Sequence, residues 1–373
     1  MNGAINNHAW VTKPLVEVAT LQRGHDLPVQ NRIDGPYPVF AANGTVGFHS
    51  IAKCSGPGVI TGRSGTIGKV HFVGGAYWPL NTSLYVTNFH GNNPRWVYYM
   101  FQSFGLERFS QGAGVPTLNR NLIHGEPVRV PQLHEQNRIV AILDQADALC
   151  TKRRETLAQL DKLAQVIFVE MFGDPFRPKY HWEDEQLSSV CLEINDCPHS
   201  TPEWTEQGVV CLRTSNLTQG GWDWSDKRFV SEETYQKRSS RGYIEPGDIV
   251  LSREGTVGIA AIVEDGMMVC MGQRLVQIRV DPMKVTPDYL LQHLLYVLAP
   301  ARISRMMVGS TAQHLNVKEL RMLRTPLPPL ALQHLFSSRL SALKTLRTNA
   351  SLAMEQTQAL FAALQHRAFR GEL

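Results

Sequence analysis

The chain has few of the features that announce a cofactor, a membrane or an oxidising compartment. Its six cysteines (Cys54, Cys150, Cys191, Cys197, Cys211, Cys270) form no CxxC pair and no disulfide-framework spacing. They read as reduced and structural, with no metal site. No stretch approaches the roughly 18 apolar residues of a membrane span, and the opening MNGAINNHAW lacks the basic-then-apolar pattern of a secretory signal. A cytoplasmic protein is expected. With 43% hydrophobic and 19% charged residues, the composition is that of a folded chain with little room for disordered tails.

Catalytic constellations are missing as well. There is no HExxH, no GxSxG nucleophile elbow and no GxGxxG fingerprint on a strand-to-helix turn. Gly62-Arg63-Ser64-Gly65-Thr66-Ile67-Gly68-Lys69-Val70 imitates a phosphate loop. A Walker loop needs one residue fewer between its first glycine and the Gly-Lys pair, and a Ser or Thr where Val70 stands. A glycine-rich hairpin turn accounts for it better. No catalytic residue, metal or cofactor is therefore assigned to this chain.

What is present is a repeat. Gly65-Thr66-Ile67-Gly68 recurs 190 residues later as Gly255-Thr256-Val257-Gly258. Asn119 then aligns with Asn316 at an offset of 197, which holds without a gap through Pro131–Gln136 and Pro328–Gln333. Such self-similarity decides the architecture before any local pattern does. After each proline-rich lead-in runs a long helical pattern. Alternating steps of four and three pick out Ile139, Leu143, Leu157, Leu160 and Ile167 in the first, and Leu340, Leu343, Met354, Phe361 and Leu364 in the second. Only Arg347 and Thr357 break the second seam. A seven-residue repeat keeps one stripe facing a partner helix, so the two helices are each other's natural partner; two amphipathic helices lying on globular cores is the alternative. Gly173-Asp174-Pro175 ends the first helix.

The predicted fold is α+β. Two tandem mixed α/β domains related by pseudo-two-fold symmetry, at 1–132 and 176–329, alternate with two long antiparallel coiled-coil helices, at 133–175 and 330–373. Charge is distributed unevenly: 1–132 carries ten Lys/Arg against five Asp/Glu, 176–329 seventeen against nineteen, and within the latter 250–329 has nine against six. A basic face in the second domain must be made locally, and the later part of each domain is the expected side.

In the order and duplication of these parts the chain resembles the specificity subunits of type I restriction-modification enzymes. The resemblance spans the whole length. It rests on the turns Arg63–Gly68 and Arg253–Gly258, the runs near 112–119 and 309–316, and the glutamine-bearing lead-ins to both helices. It implies target recognition domains that each read one part of a split double-stranded DNA site. It also implies a helical spacer docking two methyltransferase (modification) subunits, with two restriction (motor-nuclease) subunits joining. S-adenosylmethionine, ATP and Mg²⁺ would belong to those partners. A non-catalytic chain deciding the specificity of methylation and cleavage is expected.

Candidate DNA contacts are Arg63, Ser64, Lys69, Arg253, Arg274 and Arg305, because guanidinium and ammonium groups near hairpin tips reach phosphate or the guanine edge. Asn119, Arg120, Gln313, His314 and Asn316 are secondary candidates, with capping or turn roles the alternative. Gly65, Gly68, Gly255 and Gly258 read as turn formers. Two rival functions are a single-chain nuclease or methyltransferase with its own recognition domains, and a scaffold that binds proteins other than DNA.

Overall fold

In a computed structural model, residues 10–112, 115–177, 179–299, 302 and 314–373 are described. The chain divides into two compact units, 1–155 with 352–373 and 156–351. Each therefore contains a domain and parts of both long helices.

In the first unit a four-stranded antiparallel sheet has the order Thr20–Arg23, Ser83–Asn88, Gly58–Gly62, Val70–Val73. Gly58–Gly62 is buried along its whole length, as an interior strand with both faces covered must be. A three-stranded sheet pairs Tyr37–Ala41 antiparallel with Gly44–His49 and parallel with Trp78–Pro79. Val11–Pro14 pairs with Pro127–Val130. The helix Pro94–Ser103 starts at Asn93, whose side chain accepts from the Arg95 and Trp96 amides. Proline at the first helical position adds no lost donor there. Its buried face, with Trp96, Val97, Tyr99, Met100 and Phe101, completes the core.

The second unit repeats these three sheets. Its four-stranded sheet runs Cys191–Asp196, Leu275–Val280, Ile249–Ser252, Ala260–Ile262. Val209–Leu212 pairs antiparallel with Phe229–Val230 and parallel with Val269–Met271, and Glu183–Gln186 pairs with Arg324–Leu327. Thr286 caps Pro287–Val297 as Asn93 caps its counterpart.

The long helices are Leu133–Phe172 and Leu330–Arg370. In the first unit Ile139, Leu143 and Ala368 are fully buried, with Phe361 and Leu364 packed on the same core. In the second, Phe168, Phe172 and Phe336 are buried, with Ile167 and Leu340 against them. Leu343 and Met354 are buried, Leu157 and Leu160 half-buried. The two departures from the second helix's apolar seam are accommodated differently. Arg347 stays exposed and pairs with Asp161 at 2.6 Å, whereas the buried Thr357 returns its hydroxyl to the Ala353 carbonyl at 2.7 Å. The helices thus meet each other, as the repeat predicts, and also close the domain cores at their ends.

The glutamine of each lead-in fastens helix to domain. Buried Gln136 donates to the Pro131 carbonyl (3.0 Å) and Asn92 Oδ1 (2.7 Å) and accepts from the Asn93 amide (2.8 Å). Buried Gln333 donates to the Pro328 carbonyl (2.8 Å) and the Lys284 carbonyl (3.2 Å) and accepts from the Thr286 amide (2.8 Å). Both reach the capping residue of the helix that begins beside them. Buried amides survive only when satisfied in this way.

Candidate nucleic-acid interface

The three-stranded sheets set the geometry. In the second unit Val209–Leu212 and Val269–Met271 are parallel, so both run out at the same end, where Phe229–Val230 begins. Arg213, the Gly272-Gln273-Arg274 turn and Lys227-Arg228 are therefore neighbours although up to 61 residues apart in sequence. The Gly272 amide donates to the Leu212 carbonyl at 2.8 Å, and a Cβ there would run into that same carbonyl. Glycine is what lets the two strand ends close up.

Around this end the cations divide into those held by the fold and those exposed to solvent. Arg238 is buried and donates to the Met271 (2.8 Å) and Ser200 (3.1 Å) carbonyls. Arg253 is 9% exposed, its Nε 3.2 Å from Asp196 Oδ1. Arg213 engages Asp226 at 2.6 Å, a bond that holds the Asp226 carboxyl below its ordinary pKa. Arg274, Lys227, Arg228 and Arg241 are exposed. Arg274 reaches Glu254 at 3.3 Å; Lys227 lies over the Trp224 ring and Arg228 over the Trp204 ring. Exposed cations on aromatic faces, over a framework of buried arginines, can meet a phosphate backbone without losing the fold that presents them.

In the first unit the corresponding strand ends meet. The Leu80 amide donates to the Phe40 carbonyl at 2.8 Å, as Gly272 does to Leu212. Arg63 is half-buried, its amide on the Thr82 carbonyl (2.9 Å) and its Nη1 on the Asn81 carbonyl (3.3 Å). Lys69 and Arg23 are exposed, and Arg23 is 3.4 Å from Asp26. His71 lies against the Ala42 carbonyl, and burial keeps its imidazole below the ordinary pKa.

Both glycine turns dock on the segment that precedes a short helix. The Leu118 amide donates to Arg63 and the Leu315 amide to Arg253, both at 2.8 Å. Ser64 bridges Thr117, and Glu254 bridges His314. Gly65, Gly68, Gly255 and Gly258 have φ of 85°, 91°, 76° and 82°, as turn formers require. Asn119 accepts from the Asn121 amide and Asn316 from the Lys318 amide, which are capping contacts. Arg120 is exposed, with Nη1 3.5 Å from the Leu21 carbonyl. Arg305 and Gln313 lie outside the described residues. No described cluster of three or more His, Cys, Asp or Glu residues could hold a metal, all six cysteines are free, and no described helix is long and apolar enough to cross a membrane.

Sequence reasoning missed Arg23, Arg213, Lys227, Arg228 and Arg241. It placed the basic side in the later part of each domain, whereas Arg213, Lys227 and Arg228 come from the earlier part. The adjacent Lys227-Arg228, just after Trp222 and Trp224, was the available signal.

The family model described as "Type I restriction modification DNA specificity domain" matches residues 7–161 and again 180–356. The chain belongs to this family. A Haemophilus influenzae chain named as type I restriction enzyme specificity subunit S.HindORF215P is 24% identical over 363 residues, covering 93% of this chain and 91% of that one. The type I restriction enzyme MjaVIII specificity subunit of Methanocaldococcus jannaschii is 23% identical over 270 residues, 66% of this chain and 63% of its own. The solved S subunit of M. genitalium has the same fold, with a TM-score of 0.59 at 13% identity over 99% of this chain and 98% of that one. A chain solved in work on type I restriction-modification complex assembly gives 0.63 at 17% identity, over 98% of both.

Proposed function

We propose that this chain is the non-catalytic DNA-reading subunit of a type I restriction-modification complex, each unit contacting one half of a bipartite duplex site. The observation that carries the reading is that both units gather cations around the same glycine turn, at the ends of the strands beside it. Arg274, Lys227, Arg228 and Arg241 form that surface in one unit, Arg63, Lys69 and Arg23 in the other, with Ser64, Arg120 and His314 nearby.

Docking of two methyltransferase subunits has its own support. Leu149 and Leu346 occupy equivalent positions on the long helices, as do Leu163 and Leu360, each pair at the offset of 197. All four are exposed, at 41%, 57%, 38% and 52%. On this reading these duplicated apolar side chains are contact points for two like partners. S-adenosylmethionine, ATP and Mg²⁺ belong to the methyltransferase and restriction subunits on this reading.

The test is methylome sequencing of a methylation-free host that expresses this chain with its methyltransferase. A split methylated motif that vanishes when this chain is omitted is expected. Methyl transfer or plasmid cleavage by the purified chain alone would favour an enzyme, and a motif independent of the chain would favour a scaffold.

A further inference from the structure

The second unit contains a cavity of about 200 Å³ lined by Phe172, Tyr180, Trp182 and Tyr289, with the carboxylates of Asp174 and Asp184 among its walls. Liquid water occupies about 30 Å³ per molecule, so there is space for a group of several heavy atoms. The exposed His181 also lines it, which carries the rim to solvent. Phe172 and Tyr289 meet edge to face at 4.8 Å and form the buried side, while Tyr180 and Trp182 lie 5.2 Å apart. The indole N–H of Trp182 is buried with no acceptor among the described residues.

The protein's internal repeat supplies a second copy of these walls. Strand registers equate Thr12↔Arg129 with Asp184↔Pro326, which makes Trp10 the counterpart of Trp182 and Arg129 the counterpart of the cavity-lining Pro326. The paired capping residues Asn93 and Thr286 equate Trp96 with Tyr289. Phe369 packs on Trp96 (5.9 Å) as Phe172 does on Tyr289. In the first unit this place holds a guanidinium. Arg129 lies over the Trp10 ring at 5.3 Å and donates to the Arg370 carbonyl at 3.3 Å. In the second unit the aromatic wall remains, proline replaces that arginine, and Asp184 replaces Thr12. The seat has lost the cation that lies over its indole and gained a carboxylate, which Arg324 engages from one side.

We propose that the cavity between Trp182 and Tyr289 receives the side chain of an arginine presented by a partner polypeptide. A planar guanidinium stacks on an indole and forms charge-assisted bonds with carboxylates at once, which an ammonium does less well. The cations already nearby are engaged at the edges of the seat. Arg324 engages Asp184 Oδ2 at 2.9 Å, and Lys179 lies over Tyr180. Asp174 accepts from the Phe176 amide and from the Tyr296 hydroxyl. The partner assignment rests on the reading that this chain assembles with methyltransferase subunits; the seat itself does not.

The probe is N-acetyl-arginine N-methylamide, titrated on the full chain by saturation-transfer NMR beside its neutral citrulline and its lysine analogues. The arginine probe is expected to bind and the citrulline analogue not to. Asp184→Asn should weaken binding roughly fivefold, the value of one modest ion pair. Pro326→Arg, which installs the first unit's residue, should abolish it with an unchanged melting temperature. Equal binding of citrulline, undiminished binding to Pro326→Arg, or no binding of the arginine probe at its solubility limit overturns the seat. In the second arm, Pro326→Arg is co-expressed with the methyltransferase subunit. Reduced co-purification supports an arginine from that partner, and co-purification equal to wild type overturns it. Failure of the wild type to assemble sinks the functional reading instead, while the probe arm still decides the seat.

Discussion

Two arginines in the same turn region of the second unit have opposite prospects. Arg253 is 9% exposed and lies 3.2 Å from Asp196, whose side chain is 26% exposed. Arg274 keeps 61% of its side chain in solvent, with Glu254 at 3.3 Å. Arg253→Ala leaves Asp196 without its counter-charge and is expected to lower the melting temperature, with DNA affinity falling as a consequence. Arg274→Ala should leave the melting temperature unchanged, weaken DNA binding, and reduce the slope of log affinity against log salt by about one. A salt titration beside a thermal melt separates the two. His293 supplies a different residue-scale prediction. It is fully buried, Nε2 contacts the Arg324 carbonyl at 3.1 Å, and burial depresses its pKa from 6.5 to about 4. A histidine held neutral contributes stability that is complete above its unfolded pKa near 6.5 and is lost as pH falls from there toward 4. The loss is of order 3 kcal/mol. The first unit's counterpart of His293 is Met100. His293→Met should therefore flatten the pH dependence of melting between pH 6.5 and 4, and an equally steep profile in the variant would refute the assignment.

At the scale of the element, the two glycines within each turn look alike in sequence and differ in tolerance: the first stands in open space among the described residues in both turns, and the second would meet Glu107 in one and the Leu298 carbonyl in the other. Gly65 has φ of 85°, and a methyl group added there would meet nothing within 4 Å among the described residues; Gly258 has φ of 82°, and a methyl there would run into the Leu298 carbonyl. Gly65→Ala should cost about 1 kcal/mol, the strain of a left-handed alanine. Gly258→Ala adds a clash with backbone that cannot rotate away and should cost at least about 3 kcal/mol; denaturant melts of both variants would check the order. Positive φ at these glycines was legible in the sequence because only a turn explains R-x-G-T-[IV]-G occurring twice. So was the helical seam, because a seven-residue period keeps one stripe facing a partner helix. The cationic sheet end was not legible. Lys227, Arg228 and Arg213 reach Arg274 only through a parallel strand pair, Val209–Leu212 with Val269–Met271, and neither propensity nor periodicity announces which strands pair. The capping role of Asn119 and Asn316 was open for a similar reason, since an asparagine in a polar loop looks the same whether it faces a ligand or a helix amide.

For the whole molecule, the proposed function makes the long helices a spacer between two readers, and their length then becomes a quantity that DNA can report. The central helix has 40 residues and the C-terminal one 41, about 60 Å each at 1.5 Å per residue, against roughly 34 Å for one duplex turn. Asp161 and Arg347 face each other at 2.6 Å, which locates a point where both helices can be lengthened together. Seven residues inserted after Gln159, with seven more after Thr348, preserve the apolar seam in both helices because seven is its period. Each helix grows by about 10 Å. The methylated motif should keep both half-sites and gain a longer unread gap, read by methylome sequencing of cells expressing the lengthened chain with its methyltransferase. A two-residue insertion at the same two points turns the stripe by about 200° at 3.6 residues per turn and should cost stability as well as spacing, so a melt distinguishes a lengthened stem from a broken one. If the lengthened, stably folded chain directed methylation to altered half-sites, the helices would be shaping the reading surfaces themselves, and the separation of reading from spacing would fail.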